Sequence, residues 1–212
     1  MIIAVDGTAA SGKGTLAKRL ALALNLTHLD TGALYRVVAV SALDGGYSAQ
    51  NAPDQDIENI AKNLDLTLVD DPRIRSPEAG EMASVVAALP SVRAALLDVQ
   101  RKVAATPPAG FDGAILDGRD IATVVLPNAD AKLFVDADPD VRAQRRYKEL
   151  INAGHTVMLR EILASLKARD ERDQNREHAP LKPAQDSIMV DTTNLDVDAM
   201  VEFALSEINN LR

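Results

Sequence analysis

The chain has 212 residues, of which 47% are hydrophobic and 25% are charged, proportions typical of one globular domain rather than of a disordered chain. It contains no cysteine, which excludes disulfides, thiolate metal sites and thiol nucleophiles. A net charge of −8 and an aromatic content of 3% argue against nucleic acid or an anionic membrane as a partner.

A strand, a loop and a helix are the first predicted elements. Met1 to Asp6 is a short apolar run with several β-branched residues, and Lys13 to Leu24 has the apolar spacing of a helix. Between them stands the motif Gly7-Thr8-Ala9-Ala10-Ser11-Gly12-Lys13-Gly14-Thr15, which matches G-x-x-x-x-G-K followed by a small residue and Thr. Backbone N–H groups of such a loop surround a phosphate, and its lysine reaches the β and γ oxygens. The sequence therefore predicts a site for a nucleoside triphosphate.

The next segment, Asp30 to Arg36, is typical of a strand end, a glycine-containing turn and a helix start. Such a junction would present Thr31, backbone N–H groups and Arg36 to an anion. The interval from Thr31 to about Asp112 is too long for a single crossover between parallel strands. We expect it to hold several helices and a short strand at Leu66 to Val69, as an insertion that moves against the core.

Three further buried strands are predicted at Ala114 to Asp117, Ala131 to Asp136 and Ser187 to Asp191, and a closing helix near Asp196 to Leu211. Apolar strands separated by helices indicate an α/β fold with a parallel sheet covered on both faces. The segment Asp117-Gly118-Arg119-Asp120 lies at the carboxyl end of a predicted strand, where open α/β sheets bind ligands. We expect it to contribute to a second pocket beside the loop.

The loop departs from the common motif in a way that concerns Mg²⁺. Gly14 stands where Ser or Thr usually supplies a hydroxyl ligand, so that hydroxyl is missing or displaced to Thr15. Asp6 and Asp117 end predicted strands beside the loop. We expect one of the two, with Asp117 as the candidate, to hold a water molecule of the Mg²⁺ shell.

The stretch from Arg142 to Arg176 is cationic although the chain as a whole is anionic. It contains nine basic and five acidic residues. A local cationic cluster favours a small anionic ligand, because a polymer would meet the field of the whole protein. A solvated helix face with ion pairs between successive turns is the alternative interpretation.

Several classes of protein share the phosphate-binding loop. A GTPase switch is disfavoured, because no Asn is followed by Lys and no Gly has Asp three positions earlier. A kinase fits the many arginines, whose planar forks bind phosphate oxygens. We expect structural or surface roles for the three isolated histidines, His28, His155 and His178. A kinase for UMP or a small hydroxy acid, and a regulator that only binds ATP, are the alternatives.

Four segments, in the expected order from one end of the chain to the other, resemble bacterial cytidylate kinases of the nucleoside monophosphate kinase family: Asp6 to Thr15, Asp30 to Arg36, Asp117 to Pro127 and Arg169 to Leu181. The resemblance implies a P-loop NTPase three-layer α/β fold in a single domain, 1–212. It further implies an inserted NMP-binding region at about 31–112 and a short lid at about 147–160. The implied reaction transfers the γ-phosphate of ATP to CMP or dCMP with Mg²⁺ as cofactor.

The resemblance also implies roles for individual residues. Lys13, Arg119, Arg169 and Arg176 would be catalytic. Arg142 and Arg146 would join the loop of Gly7 to Thr15 in binding ATP. CMP would be bound by Thr31, Tyr35, Arg36, Ser84, Arg93, Arg119, Asp120, Arg169, Asp173 and Arg176. Within this set, Ser84, Arg93 and Asp120 would read the cytosine edge, whereas Arg169 and Asp173 would hold the ribose.

The chain departs from the family pattern at Thr8, Ala122 and Gln174, where Pro, Gly and Arg are usual, and its insertion is shorter than in many bacterial members. No apolar run approaches the roughly 20 residues of a membrane span, and the amino terminus lacks the pattern of a leader. We expect a cytoplasmic monomer with ATP and CMP or dCMP as its partners, and with neither nucleic acid nor a membrane among them.

Overall fold

A parallel sheet of five strands forms the centre of the computed structural model, which describes residues 1–48 and 51–211. The strands lie in the order β2-β3-β1-β4-β5, and every pair of neighbours is parallel. Their bounds are β1 Ile2–Gly7, β2 Thr27–Asp30, β3 Ala114–Gly118, β4 Ala131–Asp136 and β5 Ile188–Asp191. The predicted α/β fold is confirmed, and all four predicted apolar strands are present.

Eight α-helices surround this sheet in the described residues. Their bounds are α1 Lys13–Ala23, α2 Thr31–Asp44, α3 Asp54–Lys62, α4 Pro77–Val86, α5 Pro90–Ala105, α6 Pro139–Asn152, α7 Leu159–Asn175 and α8 Val197–Asn210. α1 and α8 pack on the face of the sheet that carries Ile3 and Leu133. α5 and a short π-helix at Ile121–Val125 cover the opposite face, around Ala4 and Leu116. The result is the three-layer arrangement that the resemblance implies.

The interval between β2 and β3 folds as a helical unit with its own apolar core. α2, α3, α4 and α5 bury Val38, Ile57, Met82 and Leu96 against one another. The prediction of several helices in this interval is confirmed.

In the part of the chain that the structure describes, no single helix is long and apolar enough to cross a membrane. α4 and α5 reach that length and composition as a pair, with a bend of 100° between them.

The predicted strand at Leu66 to Val69 is wrong, because Leu66–Asp70 forms a 3-10 helix. Asp65 Oδ1 accepts hydrogen bonds from Thr67 N at 3.0 Å and from Thr67 Oγ1 at 2.7 Å. Such a side-chain cap favours a turn over an extended strand. None of the five residues is fully buried, and Leu68 and Val69 pack against the apolar cluster around Val37 and Ile74 instead of joining the sheet. A second 3-10 helix follows at Pro72–Arg75.

α2 starts directly after β2, without the predicted glycine-containing turn. Asp30 ends β2 and is also the N-cap of α2, where its Oδ1 accepts a 3.2 Å hydrogen bond from Ala33 N. Gly32 lies inside the first turn of the helix. A single capping carboxylate therefore replaces the turn, and it places the amino terminus of α2 at the carboxyl edge of the sheet.

α6 and α7 form a hairpin at the predicted lid. The connection between them covers residues 153–158, where Gly154 has a φ of +84° that suits glycine. Leu150 of α6 is buried against Ile162 and Leu166 of α7. The predicted lid at 147–160 thus corresponds to the end of α6, this connection and the start of α7.

The loop between β1 and α1 is anchored to the end of β4. Thr8 Oγ1 donates a 2.6 Å hydrogen bond to Asp136 Oδ1, and Thr8 is buried. Ser11 Oγ in turn donates to Thr8 O at 3.0 Å. A hydroxyl bonded to a carboxylate forms a charge-assisted hydrogen bond. The departure from proline at Thr8 therefore adds an anchor that proline, which has no hydroxyl, is unable to form.

Replacing Thr8 by valine removes this hydroxyl and keeps the shape of the side chain. We expect Thr8→Val to lower the free energy of unfolding by about 1 to 2 kcal/mol, because the bond is to a charged group that is half exposed. Unfolding by urea, followed by circular dichroism, measures this difference.

Thr123→Val is the matched control. Thr123 Oγ1 donates only a 3.4 Å bond to Asp120 O, so we expect a change below about 0.5 kcal/mol. Equal losses of stability in the two variants would contradict the anchoring role of Thr8.

Candidate active site

A cavity of about 1020 Å³ opens where β1, β2 and β3 end. The loop of Gly7 to Thr15 forms one wall, α2 and α4 form the opposite wall, and α7 closes a side. All ten residues predicted to bind CMP line it: Thr31, Tyr35, Arg36, Ser84, Arg93, Arg119, Asp120, Arg169, Asp173 and Arg176. The fold therefore brings four distant segments of the sequence around one space.

The backbone of the loop has the bends that a phosphate-binding loop needs. A Cβ atom on Gly7 would lie 2.0 Å from Val135 O, so only glycine allows the chain to pass so close to β4. Ala10 and Gly12 have φ angles of +59° and +92°, and Gly12 is the N-cap of α1. A left-handed residue next to a helix amino terminus makes a concave surface of N–H groups that binds anions.

Some residues of this loop line the cavity and others support it from behind. The lining residues are Ala9, Ala10, Gly12, Lys13, Gly14 and Thr15. Gly7, Thr8 and Ser11 are buried. Ser11 O accepts a 2.7 Å hydrogen bond from Thr192 Oγ1, which ties the loop to the end of β5. The hydroxyls of Thr8 and Ser11 thus shape the loop rather than face a ligand.

Lys13 stands among other positive charges. Burial and the charge of Arg119 lower the pKa of Lys13 to about 7, although Asp117 and Asp30 oppose the change. An ordinary lysine has a pKa near 10.4 and is fully charged at neutral pH. Burial is the first cause of this lowered pKa, and a bound phosphate would oppose it by favouring the charged form of Lys13.

Several arginines share the part of the cavity that faces Lys13. Burial and the charge of Arg119 lower the pKa of Arg169 to about 9. Burial and the charges of Arg146 and Arg75 lower the pKa of Arg36 to about 10. Guanidinium groups stay charged at neutral pH in spite of such shifts. Their mutual repulsion makes this region a site for an anion.

Asp173 holds two of these arginines in place. Arg119 Nε donates a 3.0 Å hydrogen bond to Asp173 Oδ2, and Arg169 Nε lies 3.9 Å from the same oxygen. Burial alone would raise the pKa of Asp173, but the charges of Arg119 and Arg169 outweigh burial and lower it. Arg169 Nε and Arg176 Nη2 are buried without a hydrogen-bond partner among the described residues. Such orphaned donors are rare in folded proteins, and an anion would satisfy them.

A second group of side chains forms a recess beside these arginines. The Arg93 guanidinium lies 5.7 Å from the centroid of the Tyr35 ring and forms an ion pair with Asp120. Asp120 Oδ1 lies 3.6 Å from Arg176 Nη2. Burial raises the pKa of Tyr35, so its hydroxyl stays protonated. The recess therefore offers fixed hydrogen-bond donors and acceptors beside an aromatic ring.

Arg172 and Arg75 are among the cavity residues that the sequence did not assign to the site. Arg172 Nη1 donates a 2.9 Å hydrogen bond to Ser84 Oγ, which links α7 to α4. Its position one helical turn from Arg169 and Arg176 was the available signal, because residues three or four apart share a helix face. Arg75 pairs with Asp30 at 3.1 Å, and no sequence motif indicates this contact.

Arg142 and Arg146, both expected to bind ATP, occupy different places. Arg146 lines the cavity, whereas Arg142 does not and is buried. The Arg142 guanidinium donates to Ala137 O at 2.8 Å, to Ala9 O at 3.2 Å and to Asp170 Oδ2 at 2.6 Å. These contacts connect α6 and α7 to the back of the phosphate-binding loop. The direct contact with ATP expected of Arg142 is therefore not available in this arrangement.

The two carboxylates considered for the Mg²⁺ shell also differ. The oxygens of Asp6 accept hydrogen bonds from Ile121 N and Ala122 N, each at 2.8 Å, and burial raises the pKa of Asp6 to about 6. Asp6 thus holds the π-helix at Ile121–Val125, on the face of the sheet opposite α1. It is therefore removed as a candidate for the Mg²⁺ shell. Asp117 lines the cavity, and a Cβ on Gly14 would lie 4.0 Å from its Oδ1.

Two of the three histidines lie on the surface, and the third lines the cavity. His155 and His178 are exposed, as expected. His28 instead lines the cavity, and its Nε2 lies 2.7 Å from Asp117 Oδ2. Sequence spacing gave no sign of this pair, because the two residues meet only through the pairing of β2 with β3.

Comparisons with known proteins show the family of the chain. The family model described as Cytidylate kinase matches residues 3–210. The chain is 48% identical to a cytidylate kinase of Azorhizobium caulinodans, with 100% of both chains covered. It is 49% identical to a cytidylate kinase of Bradyrhizobium sp. (strain ORS 278), with 100% of this chain and 97% of that protein covered.

A solved structure supports the fold. A crystal structure of an uncharacterized protein from Eubacterium ventriosum ATCC 27560 superposes with a TM-score of 0.52. The likeness covers 99% of this chain and 98% of that chain at 18% sequence identity. At this identity the likeness concerns the architecture alone.

The lowered pKa of Lys13 predicts that triphosphate binding depends on pH. In the free protein Lys13 is half neutral at a pH of about 7, whereas a bound phosphate favours the charged lysine. The affinity for ATP should therefore be highest below about pH 7 and fall by up to about tenfold per pH unit above it. Calorimetric titration between about pH 6 and about pH 9 measures the affinity and the uptake of protons.

Lys13→Arg is the control for this prediction, because arginine stays charged over the whole range. Titration of ATP itself contributes equally to both proteins. The variant should therefore show a flatter dependence on pH, whatever its absolute affinity. Parallel profiles for the two proteins would contradict a lowered pKa at Lys13.

Proposed function

The chain belongs to the cytidylate kinase family, and from this we propose that it transfers the γ-phosphate of ATP to CMP or dCMP, giving ADP and CDP or dCDP. The observation that carries the proposal is the composition of one cavity. A triphosphate-binding loop forms one wall, and a separate cluster of arginines with orphaned donors faces it. Transfer to a phosphate acceptor requires a site that holds the donor phosphate and the acceptor phosphate close together.

We assign the donor side of the site to the lining residues of the loop. Lys13 and the N–H groups at the start of α1 would hold the β- and γ-phosphates of ATP, and Arg146 would face them from α6. Arg142 would act from behind, by fixing Ala9 and Asp170. Its place in ATP binding is thus proposed to be indirect.

We assign the acceptor phosphate to the arginine cluster of Arg36, Arg119, Arg169 and Arg176. The phosphate of CMP is already largely ionised at neutral pH, so the reaction needs no general base. The site must instead hold two anions in line and neutralise the charge that moves between them. Arg119 and Arg169 are preorganised for this by Asp173. Arg169 and Asp173 would also contact the ribose.

The cytosine base fits the recess of Tyr35, Ser84, Arg93 and Asp120. Cytosine presents an amino donor beside a ring nitrogen acceptor, and uracil presents the reverse pattern. A carboxylate such as Asp120 accepts only, and a guanidinium such as Arg93 donates only. Both would pair with cytosine, whereas uracil would place its carbonyl acceptor against the carboxylate and its N–H donor against the guanidinium, which is costly. The recess therefore favours CMP and dCMP over UMP.

Magnesium fits the donor side of the cavity. Mg²⁺ takes oxygen ligands and is commonly held by one or two carboxylates together with substrate phosphates. The described residues contain no group of three or more His, Asp or Glu that could hold a metal alone, but Asp117 and Thr15 line the cavity beside the loop. This oxygen set suits a cation that arrives with the nucleotide. Mg²⁺, when bound, would neutralise the β- and γ-phosphates.

The insertion at 31–112 and the lid at 147–160 are proposed to close over the bound nucleotides and exclude water. Closure would suppress hydrolysis of ATP. X-ray scattering would then show a more compact protein with both nucleotides than without them, and equal dimensions would contradict closure. We also propose that the protein is a monomer. The absence of cysteine fits the reducing cytoplasm.

The activity is tested by the formation of ADP with ATP, Mg²⁺ and a panel of acceptors. The panel holds CMP, dCMP, UMP, AMP, GMP and shikimate, with a reaction lacking acceptor as control. We expect turnover mainly with CMP and dCMP. Turnover mainly with UMP or shikimate would keep a kinase and overturn the cytosine assignment. No turnover with any acceptor would favour a regulator that only binds ATP.

Arg93→Gln tests the readout of the base. This change removes the charged donor of the recess, and we expect kcat/KM for CMP to fall roughly 10- to 100-fold, as for a lost charged hydrogen bond. The preference for CMP over UMP should fall with it. Steady-state kinetics with both acceptors measures the two effects.

Arg101→Gln is the matched control on the same helix. The Arg101 guanidinium donates to Val124 O and Val125 O, both at 3.1 Å, and the residue lies outside the cavity lining. The kcat/KM of the Arg101→Gln variant for CMP should stay within about twofold of that of the unchanged protein. Unchanged selectivity in Arg93→Gln would contradict the assigned role of Arg93.

A further inference from the structure

We propose that His28 is a positioning residue for phosphoryl transfer, which holds the carboxylate of Asp117 in the orientation that faces the phosphate-binding loop and its divalent cation. The inference rests on the proposed function, because that function makes Asp117 the carboxylate beside Mg²⁺. The resemblance assigned no role to His28, and its isolation in the sequence favoured a structural or surface role.

The pairing of β2 with β3 brings His28 to Asp117. Asp30 pairs with Asp117, and His28 pairs with Ile115, two residues earlier on each strand. Side chains two residues apart share a face of a strand, and paired residues of parallel strands share a face of the sheet. His28, Asp30 and Asp117 therefore lie on one face, and all three line the cavity. His28 is the diagonal neighbour of Asp117, within the reach of a long side chain.

This pairing places two carboxylates opposite each other. Like charges directly across a strand pair repel, so Asp30 and Asp117 each need a partner. Asp30 has Ala33 N at 3.2 Å and Arg75 Nη1 at 3.1 Å. Asp117 has His28, at 2.7 Å between Nε2 and Oδ2. Without His28, the buried Asp117 carboxylate would keep only the longer-range attraction of Lys13, with no side-chain ion pair of its own among the described residues.

Contacts on both sides of Asp117 limit its orientation. Its backbone carbonyl accepts a 2.8 Å hydrogen bond from Thr31 Oγ1, and its Oδ2 is bonded to His28. The side chain of Asp117 is only 4% exposed. A carboxylate accepts and does not donate, so Nε2 of His28 carries the proton of this bond. With the backbone and Oδ2 fixed, Oδ1 is the oxygen directed to the loop.

Oδ1 of Asp117, which His28 does not contact, is the oxygen that would face the cation. A Cβ on Gly14 would lie 4.0 Å from Asp117 Oδ1, and Gly14 is the residue where the common motif has its hydroxyl ligand. Partners that orient metal-facing carboxylates act in this way in many proteins, and their loss typically weakens metal binding 10- to 100-fold. His28 would act on the cation through Asp117 and would not itself touch it.

Three variants test the inference. His28→Leu removes the donor, His28→Gln keeps an amide donor of similar reach, and Thr27→Val changes the opposite face of the same strand. Binding of Mn²⁺ to the complex with a non-hydrolysable ATP analogue is measured by electron paramagnetic resonance. Binding of the analogue in EDTA and the melting temperature are measured in parallel.

We expect His28→Leu to weaken Mn²⁺ binding about tenfold, the lower end of the range for orienting partners, and to leave metal-free nucleotide binding within about twofold. His28→Gln should keep most of the affinity, within about threefold, and Thr27→Val should match the unchanged protein. Wild-type Mn²⁺ binding in His28→Leu would overturn the inference. An equal loss in the leucine and glutamine variants, together with lower melting temperatures and weaker metal-free nucleotide binding, would also overturn it and leave His28 a structural role.

Two further measurements keep the inference separate from the proposed function. If Asp117→Asn weakens Mn²⁺ binding and His28→Leu does not, the inference about His28 fails and the metal role of Asp117 stands. If Asp117→Asn has no effect, the metal role of Asp117 fails and the inference fails with it. Nitrogen-15 spectra of the unchanged protein test the contact directly, even if His28→Leu does not fold. A proton on Nε2 of His28 supports the bond, and an unprotonated Nε2 overturns it.

Discussion

The register in which β1 and β2 pair with β3 determines the geometry of the whole site. Asp6 pairs with Gly118 and Asp30 pairs with Asp117, so the three strands end at the same level and the segments that follow them meet above the sheet. A shift of one residue would turn every side chain of a strand to the opposite face. It would also take Ile115 out of the core that it shares with Ile3. Apolar packing thus fixes the register, and the register positions the polar groups.

Clustering arginines around one cavity is unfavourable unless carboxylates offset their repulsion. Asp173 pairs with Arg119 and lies near Arg169, and Asp120 lies between Arg93 and Arg176. Each carboxylate thus serves two guanidinium groups, and both are buried. Positive charge still exceeds negative charge, and this excess is what a phosphate would neutralise. The carboxylates therefore fix the arginines in place without satisfying them.

The sequence predicts the elements and motifs that a local pattern determines. It does not predict the contacts that form between distant segments. Buried parallel strands are recognisable as apolar runs, and the phosphate-binding loop is recognisable from its glycine spacing. Leu66 to Val69 carried a similar apolar pattern, but the cap at Asp65 turned it into a 3-10 helix. The pair of His28 with Asp117 depends on sheet register, and the inward position of Arg142 depends on how α6 packs. Neither has a local signature.

Arg169 Nε and Arg176 Nη2 make no hydrogen bond among the described residues, and this has a consequence for handling the purified protein. In the proposed function these donors face the acceptor phosphate, so sulfate, phosphate or citrate from a buffer would be expected at the same place, and an ion that binds only the folded state raises its stability by mass action. The same ion would compete with the acceptor. Michaelis constants measured in phosphate buffer would then include the displacement of a buffer ion, so values from different laboratories are comparable only at matched anion concentrations.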